Sequence, residues 1–170
     1  MVTIYCITLA GFIVLERLLE LMLAARNKSR MLAMGAQEFG RNHYPLFFVL
    51  HTGWLLGWIY EALVYDSLNR YWYIWIAIFI LAEVLRYWCI KSLGTFWNTR
   101  ILVVPGGKVV RCGPYRFISH PNYVAVTLEL LSVPLVFDAW MTALVAVCIN
   151  AVLLLGIRIP KEEEALRLLE

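Results

Sequence analysis

The chain has 170 residues, of which 62% are hydrophobic and 16% charged, with a net charge of +3. A soluble domain is usually about 25% charged, and here the apolar residues come in blocks long enough to cross a bilayer, which takes roughly 20 residues. These numbers exclude an ordinary soluble domain and argue against nucleic acid as a partner, and they predict an all-α integral membrane protein, a single domain over 1–170.

Five apolar segments are predicted in chain order. The first runs from Val2 to Ala25 and carries Glu16, Arg17 and Glu20. It lacks a basic start and a small-residue cleavage site, so it reads as a membrane helix rather than a removable leader. The second is Tyr44 to Tyr65 and the third Tyr71 to Ile90. A long connection over 91–122 follows. The fourth segment, Tyr123 to Phe137, is short, and the fifth spans Ala139 to Ile157; Pro134 and Asp138 mark the turn between them. The sequence thus divides into three transmembrane helices (1–90), a loop (91–122), a helical hairpin (123–158) and a polar, helix-prone tail (159–170). Cys6, Cys89, Cys112 and Cys148 lie far apart in sequence and suggest neither a disulfide framework nor a metal site.

Basic residues orient the segments. If all five span, Arg26, Lys28, Arg30 and Arg41, then Lys91, Arg100, Lys108, Arg111 and Arg116, then Arg158, Lys161 and Arg167 share one side, and Arg70 alone falls on the other. The basic side is expected to be cytoplasmic, with the N-terminus outside. Ionisable residues inside the membrane are costly and ask for a reason. Glu20, Glu83, Arg86, His51 and Glu129 all fall in the cytoplasmic half of their segments, beneath the long loop, whereas Glu61 lies near the outer face. An i,i+3 pair of Glu83 with Arg86 is expected.

The connection over 91–122 is too long to be a mere link. Its "ILVVPGGKVV" suits a tight hairpin or an irregular loop. "GPYRFISHPNY", residues 113–123, concentrates prolines, arginines, aromatics and His120 at the start of segment four. Pro121 suits the first turn of that helix. His120 is then held at a helix N-terminus, where free N–H groups favour a carboxylate. Beyond segment five, Arg158 and Glu162 stand one helical turn apart and share a face. An arginine grips an oxyanion with two parallel hydrogen bonds, and a glutamate accepts from ribose hydroxyls or an ammonium. Pro160 between them is placed to start a new helix at the membrane surface. His43 opens segment two at the boundary, either facing the site or filling an interfacial role, and His51 reads as a polar contact between helices.

At "LGTFWN" (93–98), "GGKVV", "GPYRFISHPNY" and "RIPKEEEAL" (158–166) the chain resembles the isoprenylcysteine carboxyl methyltransferase family, small prokaryotic members included. The resemblance implies S-adenosyl-L-methionine as cofactor without a Rossmann domain, and the chain has no GxGxxG fingerprint. It implies cofactor contacts at Gly107, Lys108, Val109, Val110, Tyr115, His120, Pro121, Asn122, Tyr123 and Glu162, and a substrate-facing, catalytic role for Arg158. The implied partner is a lipophilic or prenylated acceptor, admitted from the membrane lipid, with the site facing the cytoplasm. Ser119 stands where the family usually has arginine and Ala125 where it usually has glycine, and the chain stops without the aromatic extension of the eukaryotic enzymes. "RNHYPLFFVLHTGW" is similar to a bacterial branch that methylates alkylpyrones. The expected activity is O-methyl transfer to the carboxylate or acidic enol of a lipophilic acceptor. Methylation of phospholipid amines and a non-enzymatic membrane carrier are the alternatives.

Overall fold

The protein is described by a computed structural model, which covers residues 2–169. Its helices are α1 (Val2–Ala33), α2 (Tyr44–Tyr65), α3 (Trp72–Leu93), α4 (Pro121–Val136), α5 (Trp140–Leu153) and α6 (Ile159–Leu166). Two short strands, β1 (Gln37–Phe39) and β2 (Ile101–Val103), complete it. Four helical stretches are apolar and long enough to cross a membrane: Val2–Ala33, Arg41–Tyr65, Trp72–Phe96 and Trp140–Leu169; Pro121–Val136 is apolar but shorter. The chain is an all-α integral membrane protein, as its composition predicts.

The helix starts and stops follow local chemistry. Pro45 lies in the first turn of α2 and Pro121 in that of α4, where a missing N–H costs nothing. α1 runs past the expected Ala25 to Ala33. Its extra turns have a packing partner: buried Asn27 donates to the carbonyls of Gly94 (3.1 Å) and Trp97 (2.8 Å) just beyond α3. Asn98 returns the contact, donating to Ala24 O at 2.8 Å.

Pro134 inside α4 has no N–H to give Leu130 O, one helical turn back. The indole of Trp54 on α2 donates to that carbonyl instead, at 3.0 Å, so the defect becomes a tie between helices. Trp58, one turn along α2, stacks on Phe137 with ring centroids 5.5 Å apart, at the centre of a core that includes Ile13, Phe79, Leu130 and Val133. A Cβ on Gly57 would stand 2.8 Å from Thr142 Oγ1, so α2 and α5 approach closely there. The approach lets Glu61 accept from the Thr142 backbone N–H (2.8 Å) and from its hydroxyl, capping α5 from another helix. Glu61 therefore has a structural partner at the end of the bundle remote from the long loop.

The same end holds both short turns: Asn69, between α2 and α3, donates from its backbone to Val136 O (3.0 Å) and from its side chain to Asp138 in the α4–α5 turn. The opposite end gathers the α1–α2 connection, the loop before α4, and α6. There β1 and β2 pair antiparallel, Gln37 opposite Val103 and Phe39 opposite Ile101. This corrects the tight-hairpin alternative for "ILVVPGGKVV", while the residues after β2 follow the irregular-loop alternative. The first β-branched run is a strand, yet the partner is β1, not the second run across Pro-Gly-Gly. Phe39, Ile101, Val103, Ala165 and Leu169 form a small second core that seats α6 on this ribbon.

Candidate functional site

The site is built outward from Arg158. Pro160 cannot donate to the carbonyl four residues back, Gly156 O, and its ring crowds that oxygen. The chain responds with a π-helical turn over Leu154–Arg158, closed by Ile159 N–H onto Leu154 O. Such widened turns re-aim a side chain and are frequent at functional sites. Here Arg158 is turned inward and buried. Its Nε donates to the Tyr123 hydroxyl at 3.0 Å and its Nη2 to Thr99 O at 3.0 Å. Its Cζ lies 5.8 Å from the centroid of the Phe47 ring.

The Tyr123 hydroxyl, on the first turn of α4, donates onward to Glu162 in the first turn of α6. Arg158, Tyr123 and Glu162 thus form a chain of charge-assisted bonds across three elements. His120 caps α4 in position, without a side-chain capping bond, and its ring stacks on Tyr123 with centroids 5.4 Å apart. Its nitrogens stand 3.8 Å from Glu162 and 3.8 Å from Glu163, beyond hydrogen-bond distance. His120 thus lies at the N-terminus of α4, and Arg158 and Glu162 meet at the Tyr123 hydroxyl.

The approach to this cluster is fixed by a tight turn. Gly113 has φ +56°, and a Cβ there would stand 2.0 Å from Ser92 Oγ and 2.9 Å from Trp88 Nε1. Only glycine lets the loop press so closely onto the end of α3. The 3₁₀ turn Gly113–Arg116 then delivers Tyr115 beside Cys89. Burial pushes the Tyr115 hydroxyl far above its ordinary value, helped by Cys89 and the charge of Glu162, so it stays a neutral donor.

The remaining expected contacts are less gathered. Pro121 is buried in the first turn of α4, with half-buried Asn122 beside it. Gly107 closes a turn onto Val104 O (3.0 Å) and faces Leu169 beyond α6, where its Cβ would lie 3.5 Å from Leu169 Cδ2. Lys108 and Val109 are exposed and Val110 half-buried. The structure joins none of these three to the Arg158–Tyr123–Glu162 chain by a hydrogen bond among the described residues.

Beneath the site lies the expected convergence of membrane charges. Glu129, fully buried, accepts two bonds from Arg17 (2.8 Å each) and pairs with Arg86. Glu20 joins the same two arginines, and Glu83 stands 4.0 Å from Arg17. The expected Glu83–Arg86 pair is long, at 3.9 Å; Arg86 spends itself on α4 instead. His51 bonds the Phe47 carbonyl of its own helix at 2.7 Å. Buried ion pairs gain little net stability but punish separation, so this network fixes how α1, α3 and α4 dock under the loop.

Sequence reasoning missed Thr99, Tyr44 and Phe47. Thr99 acts through its backbone carbonyl, which no residue pattern betrays, and its hydroxyl meets that of Tyr44 at 3.3 Å. Phe47 follows His43 by one helical turn, a spacing that could have placed it on the site side of α2 once His43 was considered.

Residues 75–168 match the isoprenylcysteine carboxyl methyltransferase (ICMT) family, from within α3 to two residues past α6. The chain is 40% identical over 160 residues to a protein of Bacillus subtilis described as "Uncharacterized protein YpbQ", covering 94% of this chain and 95% of that one. It is 30% identical over 155 residues to an uncharacterized protein of Haemophilus influenzae, covering 88% of each. No solved structure matches it. The loop, the hairpin and α6, which assemble around Arg158, lie inside the matched region, and this membrane-embedded chain belongs to the isoprenylcysteine carboxyl methyltransferase family.

Proposed function

We propose that the chain is an integral membrane S-adenosylmethionine-dependent O-methyltransferase acting on the carboxylate or acidic enol of a lipophilic acceptor. The observation that carries this reading is the buried Arg158, tethered by Tyr123 and Thr99 beside Glu162. Family membership supplies methyl transfer; the residues supply the fit. A sulfonium amino acid joined to adenosine needs carboxylates for its ammonium and ribose, aromatic faces for its base, and N–H groups for its carboxylate. Glu162, the stacked His120 and Tyr123, Tyr115, and the first turn of α4 at Pro121 and Asn122 match that set. Gly107, Lys108, Val109 and Val110 would close over it from the loop. When bound, the cofactor would supply an electrophilic methyl group.

The protein's own share is then positioning and dehydration. Arg158 would hold the acceptor's anionic oxygen. A carboxylate, with a pKa near 4 to 5, is already ionised at neutral pH. The acceptor would approach from the membrane side. A cleft of about 290 Å³ is lined by Leu21, Ala25, Lys28, Tyr44, Thr99 and Arg100 among others, so α1 gives it both apolar side chains and the cation of Lys28, and Arg100 adds a second cation. It borders the Tyr44–Thr99 pair, and Thr99 also bonds Arg158. Such a cleft suits an acidic head on a lipid-soluble tail. An aminophospholipid would bring a cation to Arg158, which argues against amine methylation.

Calorimetry of the purified protein in detergent with S-adenosylhomocysteine tests the cofactor. A panel of a prenylated thioether acid, a long-chain alkyl-hydroxypyrone and an aminophospholipid tests the acceptor. Saturable binding and methylation of an oxygen acceptor are expected. No binding by folded protein, or methylation of the amine alone, would overturn the reading.

A further inference from the structure

The connection between α3 and α4 carries charge of one sign. From Lys91 to Leu128 there is no aspartate or glutamate, while Lys91, Arg100, Lys108, Arg111 and Arg116 are all basic. Arg100 is paired with Glu38. The carboxylates of Glu162 and Glu163 stand toward His120. Among the described residues Lys91, Arg111 and Arg116 enter no salt bridge, and all three are exposed. Next to Arg116 two large apolar side chains stand in the open: Phe117 is 75% exposed and Ile118 45%. They are not the tip of a slack loop. The N–H groups of both bond to Pro114 O at 3.1 Å, and Pro114 is itself buried. The backbone thus holds the two side chains outward.

The depth of this turn is set by α3. Gly113 is pressed onto Ser92 and Trp88, Cys112 Sγ lies 3.5 Å from Ser92 O, and Tyr115 lies beside Cys89. The turn therefore runs alongside the last turns of a membrane helix, not above its end. Tyr87 and Trp88 on those turns are exposed, as aromatic residues are at the headgroup level of a bilayer. An apolar pair at that level, flanked by arginines, meets two media at once: the upper acyl chains and the layer of phosphates.

We propose that the turn over residues 111–118 is a docking surface for anionic phospholipid in the adjoining leaflet. Phe117 and Ile118 enter the boundary between headgroups and acyl chains, and Lys91, Arg111 and Arg116 meet the lipid phosphates. The lack of any acidic group along this connection selects an anionic headgroup over a zwitterionic one. The docked turn carries Tyr115 and leads straight into His120, so lipid charge bears on affinity for the methyl donor. This second consequence rests on the methyltransferase reading above.

The experiment places a fluorophore on exposed Cys112 in Cys148→Ser protein. The labelled protein is reconstituted in nanodiscs containing phosphatidylcholine or phosphatidylglycerol that is spin-labelled near the top of its acyl chain. Phosphatidylglycerol is expected to quench at a roughly fivefold or more lower lipid fraction, the size of one basic residue near an anionic surface. The double variant Arg111→Gln, Arg116→Gln should lose most of that preference, and Arg111→Lys, Arg116→Lys should keep it. Phe117→Ser should weaken quenching by both lipids. S-adenosylhomocysteine affinity, measured by calorimetry on unlabelled protein, should be roughly fivefold tighter in discs with phosphatidylglycerol than in phosphatidylcholine alone. That difference should vanish in the double glutamine variant. Equal quenching by both lipids, or a preference that survives both glutamines undiminished, would overturn the lipid contact. Quenching by neither lipid would overturn it too, and would point to a second copy of the chain covering the turn. A lipid preference with an S-adenosylhomocysteine affinity indifferent to lipid charge would overturn the coupling alone. Protein that binds no S-adenosylhomocysteine in either disc would overturn the methyltransferase reading and leave the lipid contact to stand on its quenching.

Discussion

Arg158 and Glu162 share one tyrosine hydroxyl but are expected to fail differently when altered. Arg158 presents a planar fork, of which Nε is used on Tyr123 and Nη2 on Thr99 O; in the proposed reading Nη1 would meet the acceptor oxygen. Lysine keeps the charge and loses the fork. Arg158→Lys should therefore lower turnover about ten- to a hundredfold, the size of one hydrogen bond to a charged group, with little change in S-adenosylhomocysteine affinity. Glu162→Gln should reverse the balance, with affinity falling first. Calorimetry and initial rates on the same preparations check both, and equal insensitivity would reduce the pair to a structural tie between α4 and the tail. These residues were legible in the sequence because charge beside a long apolar run is expensive and stands out. Thr99 was not, because its contribution to Arg158 is a carbonyl that every residue owns. His120 was legible through Pro121, which marks the helix start.

The elements divide in the same way. Long apolar helices announced themselves, and the ends of α2 coincide with the apolar block that predicts it. β1 did not, since "QEF" is too short to alternate, and its pairing with β2 is settled by charge and by the α6 seat. Glu38 on β1 receives Lys28 from α1 at 2.8 Å and Arg100 from the chain just before β2. Burial alone would raise the Glu38 carboxyl, but the bonds from Lys28 and Arg100 outweigh it and hold the carboxyl below its ordinary 4.5. A carboxyl depressed by folding stabilises the fold above its unfolded value, and that contribution is lost as pH falls through the lower folded value. The clasp should therefore contribute fully at neutral pH. Glu38→Gln should lower the melting temperature in detergent at pH 7, and the gap from wild type should narrow as pH drops below about 4.5. A gap that is constant with pH would mean that Glu38 acts by packing alone. The π-helical turn was half legible: Pro160 announced a break, and only the continuous helix on either side shows that the chain widens instead of stopping.

At the scale of the whole molecule, function depends on which end of the bundle faces the cytoplasm. The two short turns share one end, joined through Asn69, Val136 and Asp138. The ribbon, the loop before α4 and the Arg158 cluster share the other. Arg26, Lys28 and Arg30 lie in the last turns of α1, a helix of 32 residues that rises roughly 48 Å, well beyond the roughly 30 Å of a hydrocarbon core. They therefore project toward the ribbon end, where Arg100 and Arg158 also lie, while Arg70 stands at the other end beside Tyr71. Cytoplasmic loops carry the excess of Lys and Arg, so the ribbon end is expected in the cytoplasm, where the methyl donor would be supplied. The four free cysteines provide a test that needs no tag. Cys6 and Cys89 are buried; Cys148 is exposed on α5, which faces the hydrocarbon of a bilayer; Cys112 is exposed in the loop, its Sγ 3.5 Å from Ser92 O. A membrane-impermeant maleimide should label Cys112 in inside-out vesicles and not in right-side-out ones, and Cys112→Ser should abolish the signal. Labelling from the outer face would invert the protein and turn the proposed site away from its donor.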